Sequence, residues 1–229
     1  MTGSPFAVSP RQRIICTLTI THDIVADPPQ HIVFDDVSWD FYEHLLREVG
    51  NEAIRITYDR GGLEIRSPLP KHERLGEWIG RLLELMCLER EIPIESLGST
   101  TFRSRTKRSG LEPDQCFYIK HAERARSMEE AFDPAVDLPP DLAVEIDITN
   151  RSIDREPIYA ALRVPELWRF DGKRLQVLHL SAKAKYTRQT RSLSFPFLSL
   201  PAFEKYVLRM NDHDQIRTLR DFRKWVAGL

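Results

Sequence analysis

Three carboxylates stand where the sequence is otherwise apolar, and these residues are the best suited to chemistry. Asp114 precedes a short apolar run, and Glu145 and Asp147 interrupt the apolar segment 142–148. A carboxylate inside a buried strand is strongly unfavourable unless a cation or hydrogen-bond donors compensate it. Alternate side chains of a strand share a face, so Glu145 and Asp147 are expected to point to the same side.

A neighbouring strand that carried Asp114 would bring all three acids into one small volume. Their mutual repulsion would be relieved by a divalent cation between them. Hard cations such as Mg²⁺ take carboxylate and carbonyl oxygens as ligands. The pattern therefore predicts a metal site.

Each acid also has an ordinary structural explanation. The Pro-Asp pair at 113–114 is a common turn sequence, in which the aspartate accepts hydrogen bonds from the turn. Glu145 and Asp147 would also suit the exposed face of an edge strand, or an ion pair with a nearby arginine. The residues by themselves leave these alternatives open.

His72 and Glu73 are further active-site candidates, at the start of the longest predicted helix, 71–91. The helix dipole favours an acidic residue in the first turn, so helix capping explains Glu73 equally well.

Four cations within six residues form a local candidate for nucleic-acid contact: Arg103, Arg105, Lys107 and Arg108. The first three are expected to alternate onto one face of the segment that leads to Asp114. They could follow a phosphate backbone, which would give salt-dependent affinity without sequence preference. A solvated hairpin tip decorated with Lys and Arg explains them equally well.

The periodicity of apolar residues predicts the elements that position these side chains. Helices are predicted at 39–49, 71–91, 153–162, 201–210 and 213–226. Strands are predicted at 53–58, 63–65, 94–102, 115–119, 142–148, 167–170 and 175–180. This order indicates an α/β fold with a mixed central β-sheet flanked by helices. Residues 1–30, with four prolines, are expected to form a loosely ordered arm, and residues 31–229 a single domain that includes the C-terminal helices.

Composition narrows the class of protein. A chain of 229 residues with 41% apolar content can bury a sizeable core. The 33 basic and 34 acidic residues nearly cancel, so no global positive field marks a nucleic-acid binder. The three cysteines lack a C-x-x-C spacing, which argues against a disulfide framework and a zinc site. With neither a membrane-spanning run nor a signal peptide in the sequence, we expect a cytoplasmic protein.

The order of several motifs resembles the Uma-two family of restriction endonuclease-like proteins, within the PD-(D/E)XK nuclease superfamily. The resemblance extends from about residue 35 to 225. The segments that carry it are Gly-Leu-Glu-Pro-Asp-Gln at 110–115, Asp-Leu-Ala-Val-Glu-Ile-Asp at 141–147, residues 157–172, Ser-Pro at 67–68, His-Glu at 72–73 and Leu-Gly-Ser-Thr-Thr at 97–101.

The resemblance implies a restriction endonuclease-like core and a metal-dependent endonuclease that hydrolyses phosphodiester bonds, with DNA as the expected substrate. It assigns Asp114 to the Pro-Asp element and Glu145 to the (D/E)XK element, which together hold Mg²⁺ or Mn²⁺, with the Ile146 carbonyl as a further ligand. Such an ion polarises the phosphoryl group and activates a water molecule.

One position departs from the superfamily pattern. The lysine expected two residues after Glu145 is replaced by Asp147. Either Asp147 joins the metal ligands as a third acid, or another element supplies the positive charge. Arg155, near the start of the helix that follows, is the candidate. Arginine binds phosphate well but is a poor proton donor, so we expect orientation and charge stabilisation from it.

Two classes of function follow. The first is a Mg²⁺-dependent endodeoxyribonuclease, and the second is a catalytically inactive member that binds nucleic acid or a protein partner, because the missing lysine is consistent with lost chemistry. A metal-binding protein without nucleic acid is a third. A homodimer is expected on symmetry grounds, since two subunits cut two strands more easily.

Overall fold

The structure, a computed structural model, describes residues 31–50, 54–128, 132, 137–148, 152–211 and 214–229, so the predicted N-terminal arm (1–30) lies outside the described residues.

Local capping signals set the bounds of the first helix. The Ser38 side chain accepts a hydrogen bond from the Phe41 N–H (3.2 Å) at the start of this helix. The helix ends at Gly50, whose φ of 58° is readily adopted by glycine.

Helices and strands alternate along the part of the chain that the structure describes. The helices are α1 (Trp39–Val49), α2 (Pro70–Glu89), α3 (Ala122–Arg126), α4 (Glu156–Ala161), α5 (Leu200–Leu208), which a 3-10 turn (Arg209–Asn211) extends, and α6 (Gln215–Val226). The strands are β1 (His31–Phe34), β2 (Arg55–Asp59), β3 (Gly62–Arg66), β4 (Glu95–Ser96), β5 (Phe102–Ser104), β6 (Ser109–Leu111), β7 (Gln115–Tyr118), β8 (Leu142–Ile146), β9 (Glu166–Phe170), β10 (Leu175–Leu180) and β11 (Tyr186–Gln189).

The strands form two sheets. A five-stranded sheet has the order β1-β3-β2-β6-β5, and a six-stranded sheet has the order β11-β10-β9-β8-β7-β4. The six-stranded sheet is mixed, because β8 and β9 run parallel and α4 lies in their crossover. The chain enters the six-stranded sheet at β4, returns to the five-stranded sheet for β5 and β6, and crosses again between β6 and β7, where Asp114 lies.

Three apolar clusters hold the layers together. The largest joins the buried face of α2 to one face of the six-stranded sheet and to α5 and α6, with Trp78, Val144 and Phe203 among its members. A second cluster lies on the opposite face, where Tyr159 and its neighbours in α4 pack against Ala143. A third joins α1 to the five-stranded sheet. Glu145, on the Ala143 face, therefore points away from α2 and towards α4.

The predicted fold class is confirmed, with two local corrections. The predicted strand 94–102 is wrong as a single element: β4 and β5 belong to different sheets, and Gly98 between them has a φ of 57° that an extended strand does not allow. The second sheet was not predicted. Among the described residues, no helix combines the length and apolar character needed to cross a bilayer.

Candidate active site

The register of β7 and β8 brings Asp114 beside Glu145. Gln115 pairs with Val144 in this antiparallel ladder, so the preceding Asp114 lies next to the carboxyl end of β8. The Ile146 N–H donates a hydrogen bond to Asp114 Oδ2 (2.7 Å). Both carboxylates are buried, with 3% and 2% of the Asp114 and Glu145 side chains exposed.

Two basic side chains surround Asp114 on its other side. Arg66, from the end of β3, lies 3.4 Å from Asp114 Oδ1, and His72 Nε2, from the first turn of α2, lies 3.4 Å from Oδ2. The same His72 nitrogen is 2.7 Å from the Ile146 carbonyl oxygen. Arg66 Nη1 lies 3.2 Å from this nitrogen as well, so Nε2 faces both a carbonyl acceptor and a guanidinium donor. His72 therefore bridges α2 to the end of β8.

Glu145 is held by two residues around α4. Arg155 Nη1 donates to both Glu145 oxygens, at 3.0 and 3.1 Å, and Tyr159 Oη donates to Oε1. Burial, together with the Glu145 charge, raises the pKa of the Tyr159 phenol well above its usual value. The phenol therefore stays protonated and remains a hydrogen-bond donor to the carboxylate.

The other two predicted acids have separate partners. Asp147 Oδ2 accepts from Arg169 Nε (2.6 Å), and the same guanidinium contacts Glu156. Glu73 pairs with Arg55 at 3.4 Å, and 43% of its side chain is exposed. Only the histidine of the predicted His-Glu pair therefore joins the Asp114 cluster among the contacts described.

An acidic cleft of about 640 Å³ opens beside this arrangement. Five carboxylates and two arginines contribute to its walls, so its charge attracts cations. The lining residues are Glu145, Asp147, Ser152, Ile153, Asp154, Arg155, Glu156, Leu167, Arg169, Asp171 and Gln176. Glu145 is thus both anchored in the core and reachable from the cleft.

The donor set suits a hard divalent cation in its chemistry. Asp114 and Glu145 supply carboxylate oxygens at adjacent positions, and the Ile146 carbonyl, which contacts His72, lies at the same end of β8. Within the described part of the chain, no group of three His, Cys, Asp or Glu side chains is arranged to hold a metal ion, so the expected crowding of three carboxylates is not seen. Two acids and a backbone carbonyl would form the protein's share of such a site, and the ligand assignment stays a prediction.

The predicted basic segment does not form one surface. Strand β5 ends at Ser104, and residues 105–108 form a turn, which the Arg108 N–H closes by donating to Arg105 O (3.1 Å). Arg105 is paired with Asp40 (2.9 Å) and Glu43 (2.5 Å) of α1, whereas Arg103 borders a separate cleft beside α1. The expected alternation of the first three cations onto one face is therefore wrong, because the strand stops before Arg105.

Sequence reasoning missed two arginines that contact the acids, Arg66 and Arg169. Arg66 shares one face of β3 with Glu64, and both side chains are buried. Alternating charges inside a predicted hairpin strand were the available signal, because such charges need partners when they are buried. Arg169 gave no such signal, since it follows the apolar pair Leu167-Trp168 as an ordinary strand residue.

Comparison with known proteins places the chain in a family. The Uma2 family, described as "Putative restriction endonuclease", matches residues 39–211. Among solved structures, a "putative nuclease belonging to DUF820" from Anabaena variabilis is 14% identical, with a TM-score of 0.40 over 73% of this chain and 90% of that one. No curated protein matches. Because the family match spans most of the chain and includes the buried acids, this protein belongs to the Uma2 family.

Proposed function

We propose that this protein is a divalent-metal-dependent endonuclease that hydrolyses phosphodiester bonds in DNA. The observation that carries the proposal is the juxtaposition of two buried carboxylates, Asp114 directly before β7 and Glu145 on the adjacent strand β8, of which Glu145 also lines the acidic cleft. A buried titratable group that lines a cleft is a candidate for a functional site. Membership of a family described as restriction endonucleases supports the same reading.

Asp114, Glu145 and the Ile146 carbonyl are the proposed ligands of Mg²⁺ or Mn²⁺. When bound, the ion would polarise the phosphoryl group and supply an activated water. The protein's own residues fix the ligands. The Ile146 N–H and Arg66 orient Asp114, while Tyr159 and Arg155 orient Glu145.

Arg155 is the proposed source of the positive charge that Asp147 does not provide. Its guanidinium lies at the wall of the cleft, contacts Glu145, and stays protonated at any working pH. It could bind a scissile phosphate and stabilise developing negative charge there. Proton transfer from Arg155 is not part of the proposal, because arginine is too weak an acid.

A plasmid assay tests the proposal directly. Supercoiled DNA is incubated with Mg²⁺, Mn²⁺ or EDTA, and nicked and linear products are quantified for the wild type and for Asp114→Asn and Glu145→Gln. Both isosteric variants are expected to cut at least about 100-fold more slowly, since even the supporting partners of metal ligands contribute 10–100-fold.

Asp221→Asn is the matched control, because Asp221 is a partly exposed acid of α6 that pairs with Arg209. Clean wild-type protein that binds DNA but leaves it uncut would refute the nuclease and favour the alternative, a catalytically inactive nuclease-fold protein. Equal activity in Asp114→Asn and the control would refute the assignment of the site.

We further propose a homodimer that works in the reducing cytoplasm. Two symmetric sites would let one assembly cut both strands of a duplex. The thiols of Cys87 and Cys116 are free and buried, which agrees with a protein that needs no disulfide in the described region. Sedimentation equilibrium at micromolar concentration tests the dimer, and a purely monomeric protein that cuts both strands would refute it.

A further inference from the structure

A second groove, of about 650 Å³, lies across α4 from the acidic cleft. Its walls come from the β2–β3, β5–β6 and β10–β11 turns and from the carboxyl-terminal part of α4. The lining residues are Asp59, Arg60, Lys107, Ser109, Pro157, Ala160, Ala161, Arg163, Leu180, Ser181, Ala182 and Ala184.

The charge of this groove is opposite to that of the acidic cleft. Arg60, Lys107 and Arg163 are exposed cations on three different turns. The one acid of the lining, Asp59, accepts hydrogen bonds from Ser109 (2.7 Å) and Arg60 (2.8 Å). With three cations against one acid, the groove has a net positive charge that attracts anionic partners.

Backbone conformation adds a second, independent signal. Arg60, Arg108 and Arg163 have φ values of 49°, 50° and 63°, in the left-handed region where glycine is the least strained residue. These turns would form more easily with glycine or asparagine. Arg60 and Arg163 thus place a strained backbone at the wall of the groove, and such strain is typical of functional positions.

The turns around the groove are fixed relative to one another. The Arg60 N–H donates to Arg108 O (2.8 Å), which joins the β2–β3 and β5–β6 turns. The Leu180 N–H donates to Pro165 O (2.9 Å), which joins the end of β10 to the segment after Arg163. The cations are therefore presented on a preformed frame, which lowers the entropy lost on binding.

Helix α4 sets the distance between groove and acids. Arg155 and Glu156 at its start line the acidic cleft, whereas Ala160 and Ala161 at its end line the groove. Six helical residues span about 9 Å. A phosphate chain held in the groove would thus reach the acids within a few nucleotides.

We infer that this groove binds the sugar-phosphate backbone of the substrate duplex, without base recognition, through Arg60, Lys107 and Arg163. The inference rests on the proposed function for the identity of the partner. It differs from the sequence-based prediction, because of the four clustered cations only Lys107 lines the groove, and the two arginines are distant in sequence.

Binding is measured without cleavage, by fluorescence anisotropy of a labelled duplex of mixed sequence in EDTA, over a series of salt concentrations. Each lost phosphate contact makes the slope of log K against log salt shallower by about 0.9, or about eightfold in affinity at 0.1 M salt. Lys107→Gln should make the slope shallower by about 0.9, for one lost contact. The double variant Arg60→Gly with Arg163→Gly should make it shallower by about twice that amount.

The glycine substitutions separate charge from folding. Glycine suits both positive-φ turns, so the double variant should keep or raise the melting temperature while it loses affinity. Arg105→Gln is the matched control, since Arg105 lies on the same turn as Lys107 but does not line the groove and is paired with Asp40 and Glu43 of α1. It should bind as the wild type does.

Three results would refute backbone binding in the groove. They are a wild type whose affinity for the duplex does not depend on salt, a double variant with the wild-type slope, or equal losses of affinity in the groove variants and in Arg105→Gln. If the groove variants still cleave DNA and bind it as the wild type does, the proposed role of the groove is refuted and the proposed nuclease activity is not. If the protein never cleaves DNA but its binding depends on the groove residues, the proposed nuclease activity is refuted and backbone binding in the groove is supported.

Discussion

Replacing Arg155 by methionine is expected to destabilise the fold strongly, because the change leaves the Glu145 carboxylate buried without the cation that contacts both of its oxygens. The two side chains are 4% and 2% exposed, so solvent can screen little of the lost interaction. Breaking such a pair costs about 3–5 kcal/mol. For a chain of this size, that loss lowers the melting temperature by about 6–20 °C.

A double-mutant cycle isolates the pair. Urea unfolding is measured for Arg155→Met, Glu145→Gln and the double variant. The double variant removes both charges, so it should recover much of the loss, with a coupling energy of about 2 kcal/mol or more. Arg169→Met is the matched control: Arg169 also pairs with acids, but 38% of its side chain is exposed, so its loss should cost only about 0–1 kcal/mol. If Arg155→Met is no more costly than this control, the reasoning is refuted.

The same variant tests whether a metal ion uses these oxygens. A cation bound by Glu145 must compete with the Arg155 guanidinium for the carboxylate. Excess Mn²⁺ should therefore raise the melting temperature of Arg155→Met by more than that of the wild type, since an ion that binds only the folded state stabilises it. An equal or smaller rise in the variant would show that Mn²⁺ binds elsewhere or not at all.

Two further predictions concern residues around the site. Burial raises the pKa of Glu112, against the opposing effects of Thr101 and Arg55, so stability falls as pH rises from the usual glutamate pKa to the higher pKa of the folded state. Glu112→Gln should therefore raise the melting temperature near neutral pH, and this gain should vanish below about pH 4; a gain that persists in acid would contradict the cause. Gly110→Ala should cost about 1–3 kcal/mol in urea unfolding, because its Cβ would lie 2.3 Å from Tyr42 Oη. Tyr42→Phe should relieve part of that cost, and no relief would place the strain elsewhere.

Strand alternation was sufficient to predict which way Glu145 points, whereas its position beside Asp114 was predicted only on the condition that Asp114 lies next to the neighbouring strand. Val144 and Ile146 do face the core beside α2, and Glu145 faces the other way, as alternation predicts. The bounds of α1 also agree with prediction, because the Ser38 cap and Gly50 mark both ends. Signals of this kind act over a few residues and need no knowledge of the tertiary fold.

The features that escaped prediction depend on contacts distant in sequence. Arg66 reaches Asp114 across 48 residues, and nothing near either residue indicates the pairing. The division into two sheets depends on a turn at Gly98 and on which strands find each other afterwards. The basic turn at 105–108 was recognised by composition, but its faces were assigned wrongly because the end of β5 left no clear mark in the sequence.

Residue 147 is not a lysine, and the positive charges beside the two acids come from other elements of the fold. A lysine at residue 147 would approach the acids from the segment directly after β8, whereas Arg155 approaches Glu145 from the start of α4 and Arg66 approaches Asp114 from the other sheet. Each buried acid thus has a guanidinium from a different layer. Guanidinium groups are weakly hydrated and bind carboxylate and phosphate alike, so the Arg155 pair with Glu145 uses the same group that we propose for the scissile phosphate. Stability and phosphate binding should therefore change together in Arg155 variants, but only stability should change in a variant that affects the core away from the cleft.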